Sequence, residues 1–143
     1  MDNLKGITND QAATLYKKHY WDKIRGDEFE NGSVAFAIYD WSVTSGGAVK
    51  NLEKLFAIMT DGITVDSKFS SSEVAALNKI DAAKVFNMIQ KRRLTYYQGL
   101  IDQSVEKYIA KHPGATDKDL KKHTLLRFKK GWENRVNGIK FEN

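Results

Sequence analysis

Apolar residues recur at helical spacing along most of this chain, and strand-like alternation is nearly absent. Thr8-Asn-Asp-Gln11 has the form of a capping box. It predicts a helix to about Tyr20, with Ala12, Leu15, Tyr16 and His19 on one stripe. A polar, acidic loop from Gly26 to Gly32 follows. The run Ser33 to Thr44 is apolar on almost every side, the mark of a core helix. Gly46-Gly47 end it at a permissive backbone. Val49, Leu52, Leu55, Phe56 and Met59 predict the next helix. Thr60-Asp-Gly-Ile63 reads as a turn with a short hairpin through Phe69, and Ser70-Ser-Ser-Glu73 as a second capping box.

Asp81 caps the longest predicted helix, which reaches about Ala110. Its stripe is Val85, Phe86, Ile89, Tyr96, Tyr97, Leu100, Ile101, Val105 and Tyr108. His112-Pro-Gly114 stops it. Thr116 opens a last helical stretch carrying Leu125, Phe128, Trp132 and Val136. There are no repeats, no low-complexity segment and no strong domain boundary. The expected fold is an all-α domain of five to seven helices around one long central helix.

Composition narrows the function classes. The chain has 143 residues, 41% hydrophobic and 29% charged, which is enough for a compact core. No apolar run approaches a membrane span, so no membrane insertion is expected. Met1-Asp-Asn-Leu-Lys5 lacks the apolar stretch of a signal peptide. The absence of cysteine excludes thiolate chemistry, disulfides and cysteine-held zinc. His19, His112 and His123 are far apart and form no ligand motif, so neither a metal nor a cofactor is expected. The formal net charge of +5 favours polyanionic partners such as nucleic acid, anionic lipid or cell-wall polymer. No helix-turn-helix signature accompanies the basic clusters, so nucleic acid is not the expected partner.

Asp40 is the first candidate for chemistry, because a carboxylate in an apolar helix must be paired, protonated or lining a cleft. It is open to two readings: a cleft acid that assists catalysis or binds sugar, and a helix-end acid satisfied by local groups. Tyr16, Tyr20, Trp21, Tyr39 and Trp41 form an aromatic set suited to stacking on sugar rings or to building a core. Arg93 shares the apolar stripe of the long helix and there must pair with Asp40 or a carbonyl, or snorkel. Asp22, Asp27, Glu28 and Glu30 are the other nearby acids, and no pair among them is marked out for the two-carboxylate chemistry of a glycosidase.

Five segments carry a resemblance: Leu4-Lys-Gly-Ile-Thr8, Tyr16-Lys-Lys-His-Tyr-Trp-Asp22, Ala37-Ile-Tyr-Asp-Trp-Ser42, Ser45-Gly46 and Asp61-Gly62. Their order and spacing resemble the later part of the glycoside hydrolase family 108 domain. Asp61 through Arg93-Leu-Thr-Tyr96 to Phe128-Lys-Lys-Gly-Trp-Glu-Asn-Arg135 resembles the peptidoglycan-binding domain that follows it. The family is lysozyme-like and all-α, and includes N-acetylmuramidases, phage endolysins and secretion activator proteins. The resemblance implies that residues 1–60 are the C-terminal portion of the lysozyme-like domain. Residues 61–143 would be a peptidoglycan-binding helical region packed with it as one unit.

The resemblance also implies a site. Tyr16, Tyr20, Trp21, Ser42 and Gly46 would bind substrate in a glycan groove, with Arg93 and Trp132 as binding positions of the second region. Asp40 would support catalysis. The family's catalytic Glu lies in a Glu-Gly-Gly-aromatic motif that this sequence lacks, which implies a start several tens of residues downstream of it. Thr44 stands where the family usually has Asn, and Val65-Asp66 where it has Gly. The expected function is a peptidoglycan-directed protein of the muramidase family without its general-acid Glu. The alternative is a non-catalytic wall-binding or secretion-accessory protein.

Overall fold

The computed structural model describes residues 9–142, the side chains of residues 9, 10, 13, 16 and 17 excepted. The Thr8 capping box lies outside the described residues. Seven α-helices follow one another: α1 (Asn9–Tyr16), α2 (Gly32–Thr44), α3 (Ala48–Met59), α4 (Ser71–Asn78), α5 (Ala82–Lys111), α6 (Asp117–His123) and α7 (Lys129–Asn137). A π-type turn at Lys17–Trp21 and 3-10 turns at Gly26–Glu28 and Leu125–Phe128 link them. The described residues contain no strand, and the fold is all-α, as the periodicity predicts. No described helix is long and apolar enough to cross a membrane.

Contacts divide the chain into two compact units. The first comprises residues 1–89 and 141–143, the second residues 90–140. The boundary therefore falls inside α5, and the expected division near residue 60 lies within the first unit.

In the first unit α2 and α3 each bury one face in the core. Asn31 caps α2, its side chain accepting from the amides of Ser33 and Val34 at 2.9 and 3.1 Å. Val34, Ala35, Ala37, Ile38 and Trp41 are buried. The helix is not enclosed all round, however, because Phe36 remains 45% exposed. It ends through Ser45, whose amide bonds to the Trp41 carbonyl at 2.9 Å. Neither Gly46 nor Gly47 takes the left-handed conformation expected of a glycine cap; of the described glycines only Gly62 has positive φ. Residues 141 and 142 close on the start of α2. Phe141 packs on Phe86 at 5.5 Å, the Glu142 amide donates to Ser33 Oγ at 2.8 Å, and Asn31 donates to the Glu142 carbonyl at 2.9 Å.

The segment between α3 and α4 departs from the hairpin expected there. Its amides bond to carboxylates instead of pairing across strands. Glu53 of α3, fully buried, accepts from the amides of Asp66 at 3.2 Å and Ser67 at 2.7 Å through Oε1. Glu73 of α4, also buried, accepts from Thr64 at 3.0 Å and Ser70 at 2.9 Å. The Ser70 hydroxyl completes the predicted capping box by accepting from the Glu73 amide. Ser67 is held at φ 67°, a left-handed conformation that costs a non-glycine residue about 1 kcal/mol. That conformation directs its amide to Glu53.

In the second unit the α5 stripe is buried at Tyr97 and Ile101. Arg93 is fully buried with them. Its Nε donates to the Tyr97 hydroxyl at 2.9 Å, and its guanidinium lies 5.5 Å from the Tyr97 ring centroid. Trp132 of α7 packs on the same ring at 4.9 Å. The last predicted helical stretch is broken by Thr124, whose hydroxyl donates to Leu120 at 2.6 Å and accepts from the Leu126 amide.

The burial contrast along α2 gives a test. Trp41→Ala removes a fully buried ring and is expected to cost about 3–5 kcal/mol. Phe36→Ala, on the open face, is expected to cost less than about 1 kcal/mol. Urea unfolding of both variants measures the difference.

Candidate functional site

The first unit contains a groove of about 620 Å³, within the range of about 300–1,000 Å³ usual for ligand sites. The π-type turn and the residues after it form one wall, with His19, Tyr20, Asp22, Lys23, Ile24 and Arg25. The end of α2 and the start of α3 contribute Ser42, Ser45, Gly46, Val49 and Lys50. Ser67, Lys68 and Phe69, from the segment held by Glu53, complete the lining.

The lining is basic. Lys23, Arg25, Lys50 and Lys68 face one carboxylate, Asp22. Arg25 is committed to structure: its Nε donates to the Phe69 carbonyl at 2.9 Å, and Nη1 to Glu28 at 2.8 Å and Ser71 at 3.1 Å. It thereby ties the Gly26–Glu28 turn to the opposite wall. The three lysines supply the rest of the positive charge of the groove. Ser42 donates its hydroxyl proton to the Tyr39 carbonyl at 2.7 Å, so its oxygen lone pairs remain to accept from a ligand. A Cβ on Gly46 would meet nothing within 4 Å, so the absence of a side chain there widens the groove and is not required by the backbone.

Of the residues expected at a site, Tyr20, Ser42 and Gly46 meet in this groove. The Tyr16 side chain lies outside the described residues. Trp21 is not among the lining residues. Its Nε1 donates to Asp27 at 2.8 Å, its ring meets Tyr39 edge-on at 5.6 Å, and it covers Gly26. Asp40 is half-buried near the end of α2 and is not in the lining either. Its backbone carbonyl accepts from Thr44 Oγ1 at 3.2 Å. Arg93 has no solvent-facing surface, and Trp132 sits between Tyr97 and Phe128 in the second unit. The groove residues without a strong sequence signal are Asp22, Lys50 and Lys68, which periodicity marks only as polar positions.

The acids of the 26–32 loop act on the loop itself. The Arg25 guanidinium and the Ser71 hydroxyl hold the Glu28 carboxyl below its ordinary pKa. Asn78 bridges the Glu28 carbonyl and the Glu30 amide at 2.9 and 3.0 Å. Asp27 fixes Trp21. Burial pushes Glu53 up to about 7, with neighbouring Asp66 and Glu73 adding to the rise and the Ser67 amide opposing it.

Chemically, the groove can accept an extended anionic or polyhydroxylated chain through its lysines, its hydroxyls and one aromatic ring. Paired-carboxylate hydrolysis requires two acids across a bond, and the described lining offers one. The contact at Gly26 is testable. A Cβ there would lie 2.2 Å from Trp21 Cε2, so Gly26→Ala must displace the indole and is expected to cost about 1–3 kcal/mol. Gly32→Ala, where nothing lies within 4 Å, is the control and is expected to be neutral or slightly stabilising in chemical denaturation.

Comparison with known proteins adds two findings. A structure of Brucella abortus SagA is similar to this chain, with a TM-score of 0.66 and 27% identity over 94% of the chain. The chain spans 63% of that structure's length. A comparison with curated protein sequences gives no match. Residues 1–46 match the model of the family described as glycosyl hydrolase 108. That segment carries the π-type turn, all of α2 and the Ser42 to Gly46 wall of the groove, so the part of the chain that is similar to the glycosyl hydrolase 108 family is the part that builds this side of the groove.

Proposed function

We propose that this chain is a peptidoglycan-directed, lysozyme-like protein whose first-unit groove holds a glycan strand. The observation that carries the reading is the make-up of that groove. It is sized for a ligand, lined by Lys23, Lys50 and Lys68, and floored by the family-matched segment with Tyr20 and Ser42. Peptidoglycan is a polyhydroxylated chain with carboxylates on its lactyl and peptide groups. Lysines meet the carboxylates, Ser42 accepts from sugar hydroxyls, and the Tyr20 ring offers a stacking face. Within this reading hydrolysis of the strand is the family activity, and Asp22 is the acid placed to polarise water or a leaving oxygen. The single carboxylate in the described lining also favours the second reading, a wall-binding protein that does not cleave.

Incubation with purified sacculi separates the two. Retention on the sacculi is expected in both, falling as salt rises, because exposed charges are screened over about 8–10 Å at physiological ionic strength. Lys50→Glu with Lys68→Glu is expected to weaken retention by roughly tenfold. Soluble muropeptides with new reducing ends, seen by mass spectrometry and lost in Asp22→Asn, establish cleavage. Retention without release shows that this chain binds the wall without cleaving it, as a binding module or as a portion of an enzyme whose catalytic helix it does not contain. Salt-indifferent retention that ignores both lysines refutes the groove assignment.

A further inference from the structure

The carboxylates that hold the 64–70 segment have a second consequence. One oxygen of each of Glu53, Asp66 and Glu73 lies within 4.8 Å of the others. Glu53 and Glu73 are buried while Asp66 is exposed. Glu53 Oε1 is used twice by loop amides, but its other oxygen, Oε2, is buried without a hydrogen-bond partner. Among the described residues no lysine or arginine forms an ion pair with any of the three. The side-chain charges acting on Glu53 are themselves acidic, those of Glu73 and Asp66.

A buried carboxylate in that setting must be neutralised, since uncompensated burial costs several kcal/mol or more. Five loop amides offset part of the charge, that of Lys68 by donating to Asp66. None of them reaches Glu53 Oε2. We propose that Glu53, Asp66 and Glu73 form a calcium site, with Glu53 Oε2 as its innermost ligand and Asp66 as the ligand at its solvent mouth.

The chemistry selects the ion. The ligands are all carboxylate oxygens, which suit hard cations, and no imidazole or thiolate is present to favour zinc. Two oxygens bound to one calcium at about 2.3–2.6 Å lie no more than about 5 Å apart, and the observed span fits inside that limit. Magnesium, at about 2.0–2.1 Å with strict octahedral demands, needs a tighter cluster. The exposed third ligand and the water needed to complete the coordination shell place the affinity at about 0.1–1 mM, the range of extracellular calcium modules. The ion would stiffen the segment that presents Ser67, Lys68 and Phe69 to the groove. The site stands on its own residues and does not depend on what the groove binds.

The test uses chelator-treated full chain. Added calcium is expected to raise Tm by about 3–6 °C in a saturable way, with magnesium giving less than half of that shift. Terbium luminescence, displaced by calcium, reads the site directly. Asp66→Asn, which keeps an oxygen to accept from the Lys68 amide, should leave the metal-free chain folded, with a Tm no lower because a repulsive charge beside Glu53 is gone, and weaken binding at least tenfold. Glu53→Gln should abolish the terbium signal. No calcium shift and no terbium signal would overturn the proposal and leave a shared proton as the neutralising charge. A calcium shift that survives both substitutions would overturn it as well, because the ion would then sit elsewhere.

Discussion

Two carboxylates buried against a strandless segment are the constraint on which the first unit depends. Glu53 and Glu73 receive the amides that a hairpin would have paired across its strands. A backbone donor removed from water must find an acceptor, and here the acceptors come from helices on either side of the segment. The arrangement frees the segment from strand geometry. It allows Ser67 its left-handed turn and leaves Lys68 and Phe69 to form a wall of the groove. Arg25 secures the same wall from the other side through the Phe69 carbonyl. Polar contacts between residues distant in sequence therefore hold this wall of the groove.

That architecture separates the residues that build the groove from those that face a ligand. Arg25, Glu28, Asp27 and Trp21 are spent on one another and on neighbouring backbone. Their chemistry is catalytic in kind but structural in use. Lysines on long flexible stems provide the charge that remains. Such groups recognise an irregular anionic polymer without demanding one register, since an ammonium acts as a point charge with rotatable donors.

Much of the fold was legible in the sequence because helices declare themselves locally. The predicted Ser70 capping box is present and a helix does open after Thr116, and the α5 stripe is buried at Val85, Phe86, Ile89, Tyr97 and Ile101 as its period demands. The family resemblance was legible for a similar reason, since short ordered motifs survive where overall identity is low. What was not legible depends on side chains reaching across the chain. Nothing in the spacing of Glu53 from Ser67 signals that one accepts from the other. The expected hairpin failed on that account. Asp40 drew attention because a charge in an apolar helix is conspicuous, yet the helix face it occupies is not the one that lines the groove. Asp22, in a polar stretch, carried no such contrast. The unit boundary within α5 was hidden too, because a continuous helix gives no compositional break.

The return of residues 141 and 142 to the first unit makes that unit discontinuous in sequence. The Ser33–Glu142 and Asn31–Glu142 bonds join residues more than a hundred positions apart. Closing so long a loop is costly in entropy and slow compared with helix formation. The whole second unit lies within that loop of sequence, so the first unit is closed across a segment that is itself a compact body. The contacts of Phe141 with the Phe86 ring and of Glu142 with the cap of α2 are therefore the slowest of this unit to form. Folding of the groove-bearing unit is thus finished by its most distant pair of segments, not by its most local ones.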